Sequence, residues 1–183
     1  MGETNYSTFA RCEIMSNELF NESERELIDA AKMILSDGVR RLSERSGLFP
    51  TTLTKTPADR RAITEARATL VDTLVALYGP LRHEVASACL VDAQGRLITI
   101  RDFPRGKATH CEVSPLILAE YVIQSGACAV ILVHNHPSGD NSPSKQDVAM
   151  TGKFGEWLAF MDVQLIDHLV ISCDGAASIL GGF

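Results

Sequence analysis

The chain lacks any apolar run near the roughly 18 residues that a membrane-spanning helix needs, and it opens without the basic, apolar and small-residue order of a secretory leader. A cytoplasmic location is the expectation. A Cys-x-x-Cys pair is absent too: Cys12, Cys89, Cys111, Cys128 and Cys173 are odd in number, and Cys89 and Cys128 lie in apolar runs where a thiol packs as a small hydrophobe. They read as reduced thiols and not as a disulfide frame. A surplus of basic charge is also missing. Lys and Arg number 17 against 23 Asp and Glu, a net charge of −6, and neither half is basic: 10 against 12 through residue 75, and 7 against 11 beyond it. This argues against strong non-specific binding to nucleic acid, which needs cations to neutralise phosphates. No internal repeat or low-complexity segment is present.

What the chain does have is globular composition: 183 residues, 45% hydrophobic and 22% charged, enough to bury a core without disulfide or metal staples. Residues 1–22 show no clear periodicity and read as a weakly ordered start. Leu27, Ile28, Ala31, Met33, Ile34, Val39 and Leu42 then recur at near-helical intervals, with a break near Gly38. Acidic residues come early in this helix and Arg40, Arg41 and Arg45 late, as the helix dipole favours. These arginines read as a solvated face. The stretch 47–57, rich in Gly, Pro and Thr, reads as a linker, and a second helix is expected over 59–78, stopped by Gly79-Pro80.

Beyond Pro80 the texture turns to short apolar runs. Strands are expected over 85–91 and 96–100 around the turn Asp92-Ala93-Gln94-Gly95, then a helix capped by Ser114-Pro115 and running to about Gln124. A near-continuous apolar run over 127–133 reads as a buried central strand, followed by a helix over 144–160 and a strand over 163–171. This order predicts an α/β or α+β sheet domain over 81–183 carrying an N-terminal helical extension over 1–80. The extension's apolar stripes fit packing on the sheet, homo-oligomerisation or holding a partner.

Directly after the buried strand stands Val133-His134-Asn135-His136-Pro137-Ser138-Gly139-Asp140. Residues i and i+2 leaving a strand point to one side, so His134 and His136 can present two imidazoles to one metal ion. Asp147, in the first turn of the next helix, completes a three-ligand set of the kind that holds a catalytic Zn2+ with a fourth position left for water. Glu84, at the start of the first strand, is placed to take a proton from that water and return it to a leaving group. Ser144 is placed to donate a hydrogen bond to a developing oxyanion. It also has a purely structural reading, because Ser followed three residues later by an acid at a helix start is a capping box.

The neighbours are expected in supporting roles. Asn135 faces away from the metal and fixes the loop, Ser138 and Asp140 form turns, and His83 lies on the surface. Asp167-His168 either orients a metal ligand or closes a strand as a hydrogen-bonded pair.

An upstream Glu, then His-x-His, seven residues, Ser, two residues and Asp resembles the JAMM motif of the JAB/MPN metalloproteases. The segment 134–140 followed by Pro143-Ser144-Lys145-Gln146-Asp147 is more closely similar to the RadC-like JAB domain, and the likeness runs from about Glu84 to Ile171. This resemblance implies a JAB/MPN-like mixed sheet flanked by helices. It assigns Zn2+ to His134, His136 and Asp147, and catalytic roles to Glu84 and Ser144. Two departures stand out. Residues 1–80 carry no Gly-x-Gly turn, so helix-hairpin-helix DNA binding is not implied, and Leu116 stands where the family usually has Arg.

The leading expectation is a zinc-dependent metallohydrolase acting as a peptidase or isopeptidase on a protein or peptide substrate. The alternatives are a DNA-associated protein or metal-dependent nuclease of the RadC type, and a non-catalytic binding module stabilised by its metal.

Overall fold

The computed structural model describes residues 56–104 and 113–183, together with residues 30, 33, 34, 37–41, 43, 44, 47 and 48. Helix α1 (Pro57–Tyr78) starts at a capping box, Thr56 Oγ1 accepting from Asp59 N at 3.2 Å while the Asp59 carboxylate accepts from Thr56 N at 2.8 Å. It ends at Gly79. A Cβ there would sit 2.6 Å from Val75 O and 2.8 Å from Ser172 O, so only glycine lets the helix end approach the sheet this closely.

Strands β1 (Ala86–Val91) and β2 (Leu97–Asp102) form the expected hairpin, followed by α2 (Pro115–Ser125), β3 (Ala129–Asn135), α3 (Lys145–Phe160), β4 (Gln164–Ser172) and β5 (Gly175–Ser178). The sheet order is β2-β1-β3-β4-β5. Only β3 and β4 run parallel; the other pairs are antiparallel, making the sheet mixed. No helix among the described residues is long and apolar enough to cross a membrane.

Both faces of the sheet are covered, which is why β1 and β3 read as continuous apolar runs. On one face Cys89, Ile131, Val133, Leu169 and Ile171 pack against Ala66, Leu70, Leu74 and Tyr78 of α1. On the other, Leu90, Val130 and Leu132 pack against Leu118 and Val122 of α2 and Phe154 and Leu158 of α3. Because side chains alternate along β3, His134 falls on the α3 side and Asn135 on the α1 side.

Of the described residues before α1, Val39, Ser43 and Leu48 are buried, whereas Met33 and Ile34 are exposed. Val39 and Leu48 join the α1-side core, and buried Ser43 accepts from Leu97 N at the start of β2. Arg40 and Arg41 pair with Asp37 and Glu44 along an exposed helix face, as expected of a solvated one. Arg45, Cys12, Cys111, residues 1–22 with the expectation placed on them, and most of the 47–57 segment lie outside the described residues.

The structure corrects four readings. β5 forms beyond residue 171, where no further strand was expected. Cys128, expected in the core, is exposed, because β3 begins at Ala129 and Cys128 belongs to the preceding turn. Ser114 sits at the α2 N-cap but makes no side-chain capping bond. His83 is half-buried and not on the surface. The described cysteines, Cys89, Cys128 and Cys173, are all free thiols, and burial pushes Cys89 up to about 12.

Candidate metal centre

β3, α3 and β4 make a crossover between parallel strands, so the loop after β3 and the first turn of α3 gather at the carboxyl end of the sheet. There the structure brings together His134, His136 and Asp147. The two Nε2 atoms are 3.0 Å apart, His134 Nε2 is 3.4 Å from Asp147 Oδ1, and His136 Nε2 is 3.7 Å from Asp147 Oδ2. Tetrahedral ligands on bonds of about 2.0–2.1 Å stand about 3.3 Å apart, so these separations match a shared cation.

Asp147 is aimed by the capping box that opens α3. Ser144 Oγ accepts from Asp147 N at 3.1 Å, and Asp147 Oδ2 accepts from Ser144 N at 2.7 Å. The structural reading of Ser144-x-x-Asp147 is therefore real, and it holds the carboxylate facing the imidazoles. Ser144 itself is exposed at the helix start.

The ring protons follow from the partners. His136 Nδ1 lies 2.9 Å from Asp140 O, which only accepts, so Nδ1 carries the proton and Nε2 a lone pair. Thr151 Oγ1 donates to Asp147 O at 2.6 Å and so accepts from His168 Nδ1 at 2.7 Å. His168 Nε2 is then the acceptor for His134 Nδ1–H at 2.8 Å, which leaves a lone pair on His134 Nε2. Two lone pairs and a carboxylate converge on one point. That donor set repels itself without a cation and fits a first-row divalent metal.

The electrostatics agree. Burial pushes His168 down to about 3, with His134 adding to the shift, so it stays a neutral acceptor. His134 is also lowered, chiefly by burial, against the opposing pull of Asp147. For Asp147 burial works upward, but hydrogen bonds from Ser144 and the two histidines outweigh it and hold the carboxyl below its usual range.

His168 should govern both the metal affinity and the response to acid. Removing the acceptor with His168→Leu should weaken metal binding by about 10–100-fold, as loss of a ligand's outer partner does. Competition with a chromophoric chelator measures this, and unchanged affinity would contradict the relay. Between the ordinary histidine value of 6.5 and about 3, the unfolded chain carries a proton at His168 that the folded chain does not. Stability of the metal-free protein should therefore fall as pH drops through that window, read as a declining urea midpoint from about pH 7 to about pH 4. A flat profile would contradict a neutral buried His168.

Glu84 is half-buried and lines, with Arg82, His83, His136, Pro137 and Ser138, an open cleft of about 530 Å³. A larger groove of about 600 Å³ lies between Met33, Ile34, Asp37 and Arg40 on one side and β2 on the other and contains none of these groups. Of the Asp167-His168 pair, His168 is the one bonded to His134. Asp167, fully buried, accepts from His168 N, Ser178 Oγ, Leu180 N and Gly182 N, and so ties down the chain after β5. Asp140 shapes its turn by accepting from Ser142 N at 2.8 Å. Thr151 was not among the expected residues, although its place four residues after Asp147 sets its hydroxyl against that residue's carbonyl.

A five-stranded mixed sheet flanked by helices, with this donor set at its carboxyl end, is a JAB/MPN-like fold. The family model of the RadC-like JAB domain matches residues 64–181. The chain belongs to that family, whose superfamily is of a metal-dependent hydrolase kind. Among curated relatives, a UPF0758 protein of Psychromonas ingrahamii is 43% identical over 98 residues, covering 54% of this chain and 44% of its own length. Another, of Ralstonia pickettii, is 36% identical over 107 residues, covering 58% and 48%. A third, of Leptothrix cholodnii, is 34% identical over 119 residues, covering 65% and 54%. The chain spans about half the length of these relatives.

Proposed function

We propose that the chain is a zinc-dependent hydrolase of the JAMM type that cuts an amide, in a peptide or isopeptide linkage. The observation that carries this reading is the convergence of two imidazole lone pairs and one carboxylate beside a cleft that Glu84 also lines. Two nitrogens and one carboxylate oxygen suit zinc better than the all-oxygen shell that Mg2+ prefers. Zinc bound there would supply Lewis acidity and activate a water for attack.

His134, His136 and Asp147 would hold the ion. The Glu84 carboxylate takes a proton from the attacking water and returns it to the leaving nitrogen, so the amine departs neutral. Ser144 accepts the capping bond from Asp147 N through its lone pairs. Its hydroxyl proton is the one assigned to the oxyanion of the tetrahedral intermediate. The amide assignment rests on the family resemblance, since the same residues could act on a phosphodiester.

The test is a parallel screen of the zinc-loaded chain against quenched peptides, isopeptide-linked conjugates and labelled DNA. Zinc-dependent amide cleavage is expected. Duplex and single-stranded DNA should bind weakly and with little dependence on salt, because no basic half exists to release counterions. Tight, salt-steep binding together with DNA cleavage that His134→Ala abolishes would promote the nuclease reading instead.

A further inference from the structure

The residue between the two histidines has no place in the chemistry above, yet its amide is fully engaged. Asn135 is completely buried on the α1 side of β3. Its Oδ1 accepts from Val85 N at 2.7 Å, and its Nδ2 donates to His83 O at 3.0 Å and to Leu81 O at 3.4 Å. The orientation of the amide is fixed by these partners, since an N–H only donates and carbonyls only accept. The Asn135 backbone N–H also donates to Val85 O at 3.2 Å.

These bonds lie just past the end of the β1–β3 ladder. That ladder's last register pair is Ala86 with His134, and residues 81–85 belong to no strand. Glu84 therefore sits in irregular backbone, and the groups on either side of it, His83 O and Val85 N, are both held by one side chain. That side chain is rooted in the same three-residue stretch as two of the metal ligands. On the opposite side of the strand, His134 reaches the site.

We infer that Asn135 is a positioning residue for Glu84, fixing the distance between the proton acceptor and the metal ligands through its amide clamp on residues 81–85. The inference rests on Glu84 being the base. It explains why a buried amide, costly to desolvate unless every donor and acceptor is paired, stands on the apolar α1 side of this strand.

The test compares wild type, Asn135→Ala, Glu84→Gln and the double variant, each loaded with zinc for turnover and with cobalt for absorption. Asn135→Ala should keep the full metal content. Hydrogen exchange at the Val85 amide should become fast, and kcat on a quenched peptide that the wild type cleaves should fall by about 10²-fold, the cost of roughly 1 Å of misplacement, with KM little changed. In the Glu84→Gln background the same change should cost nothing further, because residues that act as one unit are not additive. Any shift of the cobalt bands in Glu84→Gln should reappear in Asn135→Ala.

Should Asn135→Ala fail to fold, Asn135→Asp keeps the size and the acceptor for Val85 N–H but sets oxygen against two carbonyls. It too should lose kcat at full metal content. Wild-type turnover in a folded Asn135 variant while Glu84→Gln is dead would overturn this inference alone, as would an additive loss in the double variant. Wild-type turnover in Glu84→Gln would overturn the base assignment and the inference with it.

Discussion

His134→Ala and His136→Ala should each empty the metal site and abolish metal-dependent turnover while leaving the fold in place. The apolar cores on the two sheet faces contain neither imidazole, so their packing survives the loss. The costs differ between the two. His134 is nearly buried, and its removal leaves His168 Nε2 without its donor, at about 1–3 kcal/mol for an unsatisfied buried group. His136 lies on the loop after β3, and removing its ring gives up the contact with His134 and the bond to exposed Asp140 but strands no buried polar partner, so that variant should be the more stable. Metal analysis after dialysis should find about one zinc per wild-type chain and close to none in either variant, since two ligands seldom hold what three do. Full zinc in a variant would remove that histidine from the site.

Glu84→Gln should do the opposite to the metal and nearly the same to the rate. The amide keeps the size and can hydrogen-bond water, and none of the three metal ligands is touched, so zinc content should be unchanged. Turnover should fall on the order of 10²–10⁴-fold, the usual cost of losing a general base. The pair of outcomes matters more than either alone: metal retained with rate lost separates a proton-transfer role from a structural one. A Glu84→Gln protein as active as wild type on any cleaved substrate would end the proposed mechanism.

The parts of the site legible in the sequence are those whose geometry is local. His134 and His136 are two residues apart at a strand end, and Asp147 opens the helix that follows, so strand alternation and a capping pattern were enough to bring them together. The crossover order and the apolar texture of β1 and β3 gave the fold class in the same way. What escaped depends on partners distant along the chain. His168 reaches His134 from 34 residues away, and Asn135 clamps residues 50 to 54 positions earlier. No periodicity records such contacts. β5 was missed for a related reason: Gly175, Ala176, Ala177 and Ser178 carry no strand signal of their own and pair because β4 offers an edge and Asp167 gathers the turn beyond. His83 read as surface because alternation was assumed where the backbone is irregular.

Anomalous diffraction across the zinc edge, on crystals of the zinc-loaded chain, shows whether His134, His136 and Asp147 share one ion. One strong peak is expected within about 2.0–2.2 Å of His134 Nε2, His136 Nε2 and a carboxylate oxygen of Asp147, with a water as the remaining ligand. No peak between these three residues, or a zinc ion bound only elsewhere on the chain, would contradict a shared site.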